Sequence, residues 1–333
     1  MCRVGSRFFL RLWASFLPLT VIALPVPVRA ADTMKMTVTG LVSGFADYFI
    51  ATDRGYFAEE NIDVQILQAG GNTATPALLS GDVQYSTSAS IAISAILRGG
   101  ELKIVYVNND RVPYQLWTTV PAIQSLADLK GKQVGVETRG DTHELAMRQA
   151  FIAGGVDPST VIFTPLANRS AIVASLMTGA LAGASMVTDE VERLKSVPNA
   201  RLLFDLQAIH LIAGGGVFSE RLLKENRPLA KRFMRAVIKG HRRGQAVPDD
   251  VVASVHKRNA SLAPEEIRAA MQAQRPLNTK DGTISPEQQA QEIANRSAVL
   301  GIPPEKRRRP EEMFDFSLLK EVNAELDAQG WKP

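Results

Sequence analysis

Short apolar runs alternate with amphipathic segments from Met36 onward, a pattern typical of a parallel α/β sheet. The pattern predicts strands at "KMTVTGLV", "IDVQILQA", "VQYSTS" and "LKIVYV" and, in a second set, at "KQVGV", "TVIFTPL" and "LAGASMV". It predicts helices between them at "DYFIATDRGYFAEEN", "TATPALLSG", "ASIAISAILRGG", "DTHELAMRQAFIAGG", "RSAIVASLMTG" and "DEVERLKS". After Phe218 the pattern becomes almost wholly helical, with prolines near the segment boundaries at Pro228, Pro248, Pro264, Pro286 and Pro303.

Two segments of the chain are similar to each other. "LQAGGNTATPALLSGDVQYSTSAS" and "FTPLANRSAIVASLMTGALAGASMVT" both read as a strand, a polar loop, a helix and a second strand. Gly81 closes the helix of the first copy and Gly179 closes that of the second, since glycine adopts the left-handed conformation that ends helices. The repeat suggests two similar lobes, with a chance match of two common α/β units as the alternative.

The first 30 residues have the features of a secretory signal. Arg3, Arg7 and Arg11 precede an apolar run from Leu12 to Leu24, and "LPVPVRA" then breaks any helix. We expect cleavage after Ala30, and a soluble periplasmic mature chain. A membrane anchor is disfavoured because the run is too short to span a bilayer.

Removal of this segment changes the charge balance. The chain has 38 basic and 34 acidic residues, and four of the basic ones lie in the predicted signal, so the remainder is balanced. Nucleic-acid binding therefore has no electrostatic support. The only cysteine, Cys2, also lies in the signal, so no disulfide or thiol chemistry is expected after cleavage.

Polar loops follow the first three predicted strands. They are Ser43-Gly44-Phe45, Gly70-Gly71-Asn72-Thr73 and Ser86-Thr87-Ser88. Ligands of parallel α/β sheets bind outside the carboxyl ends of the strands, where helix N-termini present backbone N–H groups. Ordinary turn chemistry explains any one of these loops, whereas three in one lobe favour a binding site.

An Arg-Gly-Asp tripeptide stands in the equivalent place of the second set. Arg139 follows the strand "KQVGV", and Asp141 is the predicted N-cap of the next helix, with Glu144 at capping-box spacing. A cation beside a helix N-terminus favours an anionic ligand. In the alternative, Arg139 pairs with Asp141 or Glu144 at a solvated helix start. A cell-adhesion role would need an exposed loop instead.

Searches for catalytic motifs find none. The sequence has no GxSxG, Walker A, HExxH or dinucleotide fingerprint, and we expect no cofactor and no metal site. The four histidines have no ligand spacing. His143 is expected at the surface. His210 is expected in a crossing strand, where it faces a cleft, the core or a solvated edge. The basic run from Lys306 to Arg309 is interpreted as a solvated loop.

The chain resembles the periplasmic solute-binding proteins of ABC importers for nitrate, sulfonate, taurine and related ligands, a group that includes thiamine-precursor binders. The resemblance covers about residues 35–245 and rests on "ATDRGYFAEENIDVQI", "GGNTATPALLSGDVQYS", "SLADLKGKQVGV" and "RGDTHELAMRQAFIAGGVDPSTVIF". This sequence departs from the family where Arg139-Gly140-Asp141-Thr142 replaces a turn rich in glycine and hydroxyl residues, which leaves the class of ligand open.

The resemblance implies a type II periplasmic-binding-protein fold of α/β class, with two lobes, two crossing segments and a helical C-terminal extension. Lobe 1 would comprise residues 31–115 and 213–333 and lobe 2 residues 116–212, with crossings near 108–119 and 207–217. It implies a small-molecule ligand, a membrane permease as partner, and a monomer. The ligand contacts that it implies are Ser43, Gly71, Asn72, Ser86 and Ser88 in lobe 1 and Arg139, Asp141, Thr142, Asn168 and Asp189 in lobe 2.

Two other functions share this fold. One is a pyrimidine-precursor synthase, which resembles the family but is cytosolic and carries a cysteine-rich motif. The other is a periplasmic sensor that passes its ligand signal to a receptor. The export signal and the absence of cysteine after residue 2 disfavour the enzyme, while the sequence does not separate sensor from importer.

Overall fold

Ten strands form among the residues that the structure describes. A computed structural model describes residues 30–137, 139–166 and 168–333, without the side chains of 188, 189 and 192. The predicted signal lies outside the described residues apart from Ala30. The strands are β1 (Asp32–Val38), β2 (Ile62–Gln68), β3 (Tyr85–Ser86), β4 (Leu102–Arg111), β5 (Gln115–Thr118), β6 (Gln133–Val136), β7 (Ile162–Pro165), β8 (Gly183–Met186), β9 (Arg201–Asp205) and β10 (His210–Ser219).

The strands form two five-stranded sheets of the same plan. The first has the order β2-β1-β3-β10-β4 and the second the order β7-β6-β8-β5-β9. In each sheet four strands run in the same direction and one runs antiparallel to them: β10 lies between β3 and β4, and β5 lies between β8 and β9. The two-sheet α/β class predicted from the sequence is confirmed.

Helices connect the strands and continue to the end of the chain. The helices that connect strands are α1 (Ala46–Asp53), α2 (Tyr56–Glu59), α3 (Gly71–Ser80), α4 (Ala89–Leu97), α5 (Thr142–Ala153), α6 (Arg169–Met177) and α7 (Thr188–Leu194). The C-terminal helices are α8 (Glu220–Glu225), α9 (Arg227–Ala246), α10 (Pro248–Arg258), α11 (Pro264–Gln274), α12 (Pro286–Val299), α13 (Pro310–Met313) and α14 (Ser317–Ala328).

Prolines and glycines mark the helix boundaries as expected. Pro248, Pro264 and Pro286 each begin a helix, where their missing N–H costs no hydrogen bond. Gly81 and Gly179 end the two repeated helices with φ of 89° and 75°. The first helix differs from the prediction, because Gly55, with φ of 75°, divides the expected helix over residues 47–61 into α1 and α2.

The repeated segments occupy equivalent places in the two sheets. β2–α3–β3 and β7–α6–β8 each lead from an edge strand, through a helix, to the central strand. Their equivalence explains the internal similarity of the sequence. The carboxyl ends of the corresponding strands therefore carry corresponding loops.

Each sheet has its own apolar core. The first core includes Met34, Phe49, Tyr85 and Phe233, which are fully buried, and it extends into the C-terminal helices. The second core centres on residues such as Phe151. The chain passes between the sheets twice, through residues 112–114 and 206–209. No helix of residues 30–333, the gaps at 138 and 167 excepted, is long and apolar enough to cross a bilayer.

Candidate functional site

The loop after β1 turns toward the C-terminal helices. Ser43 begins a short 3-10 helix and donates a hydrogen bond from Oγ to Oε1 of Gln274, 3.3 Å away. Asn108 Nδ2 donates to the main-chain oxygen of Gly44 at 3.2 Å. Ser43 is therefore held in place by a residue more than 200 positions later in the chain.

The loop after β2 is shorter than the sequence predicts, because α3 begins within it. Gly71 and Asn72 form the first turn of α3, and Asn72 is exposed there. A Cβ atom added to Gly71 would lie 2.1 Å from Cδ1 of Ile91. Close packing of α3 against α4 therefore gives this glycine a structural role, whatever it contributes to binding.

The end of β3 carries buried hydroxyl groups. Ser86 is 1% exposed, and its Oγ accepts hydrogen bonds from Oγ1 of Thr37 at 2.9 Å and from the backbone N–H of Ser88 at 3.2 Å. The hydroxyls of Thr87 and Ser88 are buried and have no hydrogen-bond partner among the described residues. A buried polar group without a partner costs roughly 1–3 kcal/mol, so these two hydroxyls are suited to a ligand.

The Arg139-Gly140-Asp141 turn leads into α5 as predicted. Asp141 is the N-cap: its Oδ1 accepts from the N–H of Glu144 at 2.7 Å, and its Oδ2 accepts from that of Glu137 at 3.0 Å. The Glu144 carboxylate in turn accepts a hydrogen bond from the N–H of Gly140 at 2.9 Å, one residue earlier than in a standard capping box. Thr142, the first residue of α5, is half-buried.

Arg139 itself is exposed. It forms no hydrogen bond or ion pair with any residue that the structure describes. The Glu144 carboxylate pairs instead with Arg148, Oε1 to Nη2 at 2.6 Å. The alternative in which Arg139 serves as a structural partner of Glu144 therefore has no support in this geometry.

The loops after β7 and β8 hold the last two predicted contacts. Asn168 is exposed and caps α6, since its Oδ1 accepts from the N–H of Ala171 at 2.9 Å. Asp189 lies in α7, and its side chain lies outside the described part of the structure. Both loops come from the second sheet, as Arg139 does.

Two aromatic rings near α5 were missed by the sequence analysis. Tyr114, which enters the second sheet, stacks on His143 with centroids 3.9 Å apart and an interplanar angle of 11°. Nδ1 of His143 lies 2.6 Å from Oγ of the fully buried Ser185. Burial, reinforced by the charge of Arg169, lowers the pKa of His143 to about 3, so its ring is neutral near pH 7. The expected surface position of His143 is therefore wrong.

Arg169 is a further residue that the sequence analysis missed. Its Nη2 donates to the main-chain oxygen of Ser185 at 2.8 Å, and its guanidinium forms an ion pair with Glu190. Nη1 is buried without a partner among the described residues. Burial raises the pKa of Glu137, whose carboxylate lies 3.8 Å from Nε of Arg169. Arg169 follows Asn168 in the repeated polar loop, which is the signal that could have found it.

His210 is not part of the group formed by Tyr114, His143 and Arg169. His210 begins β10, is largely exposed and lies 3.3 Å from the Asp110 carboxylate. Among the described residues, no group of three or more His, Cys, Asp or Glu side chains is arranged to hold a metal.

Two similar sheets joined by two connections, with polar groups at their strand ends, are the architecture of the two-lobed periplasmic-binding-protein fold. The chain matches the NMT1/THI5-like family over residues 43–251 and belongs to it. The family resemblance predicted from the sequence is thereby confirmed.

The chain is also similar to individual proteins whose function or structure is known. The chain is 27% identical over 217 residues to the riboflavin-binding protein RibY of Chloroflexus aurantiacus; the match covers 62% of this chain and 60% of RibY, less than two thirds of that relative. The aliphatic sulphonate binding protein SsuA of Escherichia coli has a TM-score of 0.67 at 15% identity, covering 86% of this chain and 92% of its own. The nitrate-binding protein NrtA of Synechocystis PCC 6803 has a TM-score of 0.67 at 14% identity, covering 90% of each chain.

Proposed function

We propose that the protein is the solute-binding component of an ABC importer, which holds a small organic ligand between two lobes and delivers it to a membrane permease. The observation that carries the proposal is the shared strand order of the two sheets, joined by two short connections. Such a pair of connections permits hinge motion. The periplasmic binding proteins of the same fold support this role.

The proposed lobes are residues 31–115 with 213–333 and residues 116–212. A ligand that contacts both lobes binds the closed state more tightly and so shifts the population toward closure. The proposed contacts are those inferred from the sequence, Ser43, Gly71, Asn72, Ser86, Ser88, Arg139, Asp141, Thr142, Asn168 and Asp189, together with Thr87, Tyr114, His143 and Arg169.

We infer that the ligand carries an anionic group, a carboxylate or sulfonate, held by Arg139 at the start of α5. The exposed position of Arg139 and its lack of an ionic partner among the described residues support this role. Charge-assisted hydrogen bonds from arginine to such groups are short and strong. The buried Nη1 of Arg169 provides a second donor.

A second candidate ligand is an uncharged planar heterocycle. The stacked rings of Tyr114 and His143 favour it, because aromatic rings bind other rings through stacking. The charge of Arg169 is also balanced by two nearby carboxylates, those of Glu137 and Glu190. The similarity to a riboflavin-binding protein also supports a planar heterocyclic ligand.

The proposal also includes where the protein acts and in what oligomeric state. The protein is exported by its N-terminal signal, acts as a monomer outside the cytoplasm and binds its ligand without chemical conversion. A sensor role would use the same site and differ only in the receptor that recognises the closed form. Genes for a permease and an ATPase beside the gene of this protein would separate the importer from the sensor.

Native mass spectrometry of protein purified from its source tests the function and the ligand class together. We expect a single bound organic molecule, released intact on denaturation, whose re-addition lowers the radius of gyration in solution scattering. Recovery of a chemically altered product would instead support the enzyme. Tight binding without compaction would contradict the two-lobe mechanism.

A further inference from the structure

A cavity of about 480 Å³ lies beside the 3-10 helix that begins at Ser43. Its lining residues come from that helix, from α1, α9, α10 and α11, and from Asn108 and residues 275–280. None of these residues belongs to the second sheet or its helices. The cavity therefore does not depend on the approach of the two lobes, and its size falls within the usual range for small-molecule sites.

A buried polar network forms one side of the cavity. Tyr106 Oη donates to Oδ2 of Asp47 at 2.9 Å, and Nδ1 of His241 lies 3.0 Å from the same oxygen. Burial alone would lower the pKa of His241, but attraction to Asp47 outweighs it and raises this pKa. His241 and Asp47 are therefore each other's partners, and this side of the cavity offers no unpaired cation.

The rim of the cavity is basic. Arg268 pairs with Asp249, Nη1 to Oδ1 at 2.9 Å. Arg275 and Lys280 also line the cavity, and within residues 30–333, the two gaps excepted, neither forms a hydrogen bond or ion pair through its side chain. Two unneutralised cations thus stand beside a concave polar surface, an arrangement that attracts two negative groups on one small molecule.

We propose that this cavity is a second ligand site, which binds a small dicarboxylate through Arg275 and Lys280. The part of the ligand between its two carboxylates would contact neutral polar side chains that line the cavity, such as Asn278. The site goes beyond the importer function and does not rest on it. The Ser43–Gln274 hydrogen bond forms part of the wall, so the site adjoins the loop after β1.

Histidine NMR tests this site separately from the interlobe site. The chain has four histidines, of which His241 lines the cavity and His143 lies beside Tyr114 in the second sheet. Protein labelled with ¹⁵N-histidine would be titrated with succinate and, as the neutral comparison, with succinamide. Single His→Gln variants at positions 143, 210 and 256 identify the His241 signals by elimination.

We expect succinate to shift the His241 signals saturably while the His143 signals stay unchanged, and succinamide to shift neither. The double variant Arg275→Gln/Lys280→Gln should bind succinate at least tenfold more weakly. The variant Lys130→Gln/Lys132→Gln, with the same change of charge on exposed residues of the turn before β6, should bind it normally.

Three results would overturn the proposal. The first is the absence of any His241 shift, and the second is equal binding by the two double variants. The third is a succinate shift at His143, which would assign the dicarboxylate to the interlobe site. Failure of the importer function, by contrast, would appear as the absence of a native ligand and of compaction.

Discussion

Arg296 of helix α12 donates a hydrogen bond from Nη1 to the main-chain oxygen of Ser90, 2.6 Å away, and so ties the C-terminal region to the start of α4. Its Nη2 reaches the main-chain oxygen of Ile212 at 3.2 Å. Glu292 forms an ion pair with Arg296 and accepts from the N–H of Ile212 at 3.3 Å. Helix α12 thus holds the strand by which the chain returns to the first sheet.

The first prediction concerns this buried pair. Arg296 is 2% exposed, and Arg296→Met would leave the Glu292 carboxylate buried without its cation. Breaking a buried pair in this way costs about 3–5 kcal/mol. We expect a loss of that size in the free energy of unfolding, measured by urea denaturation. Glu292→Leu/Arg296→Met should recover part of it, but not all, because the oxygens of Ser90 and Ile212 lose their donor. A fully stable single variant would contradict this account.

The second prediction concerns the cap of α5. Asp141→Ala removes the acceptor for two backbone N–H groups, those of Glu137 and Glu144. Loss of an N-cap costs about 1 kcal/mol, up to about 2. Thermal melts should show a loss in this range, while binding of an anionic ligand holds or improves because a nearby negative charge is removed. Asp141→Asn is the matched comparison, and it should retain most of the stability. Equal loss in both variants would mean that charge, rather than capping, matters there.

The third prediction follows from the neutral imidazole of His143. Its pKa is about 3 in the folded chain and near 6.5 when unfolded, so between these values the unfolded state binds the additional proton. The neutral His143 ring contributes fully to the free energy of unfolding above about pH 6.5. This contribution is lost as the pH falls from 6.5 toward 3. The loss approaches roughly 1 kcal/mol per pH unit. Unfolding free energies at pH 7 and pH 5 should therefore differ more for the wild type than for His143→Gln. If the wild type and His143→Gln showed the same difference between pH 7 and pH 5, the His143 ring would be in contact with solvent in the folded chain.

Local features of this fold could be predicted from the sequence because they depend on neighbouring residues. The strand–helix alternation, the Asp141 cap and the helix-ending glycines Gly81 and Gly179 are of this kind. Contacts between distant parts of the chain could not be predicted. The partner of Ser43 lies at Gln274, and the ring that stacks on His143 belongs to Tyr114. No periodicity relates such positions, because the packing of the whole chain brings them together.

The last prediction concerns Arg139 and decides between the two ligand classes. Arg139 is exposed and has no ionic partner among the described residues, so Arg139→Ala should change the free energy of unfolding by no more than about 1 kcal/mol. If the ligand is anionic, closure removes water from its contact with Arg139. Truncation should then weaken binding by about 2–4 kcal/mol, as for a buried charge that loses its partner. Calorimetric titration with the native ligand, beside melting curves, separates the two effects. Arg193→Ala, an exposed arginine in α7, is the matched control and should bind normally. Normal binding by Arg139→Ala, together with weakened binding by Tyr114→Ala, would exclude the anionic ligand and leave the planar heterocycle.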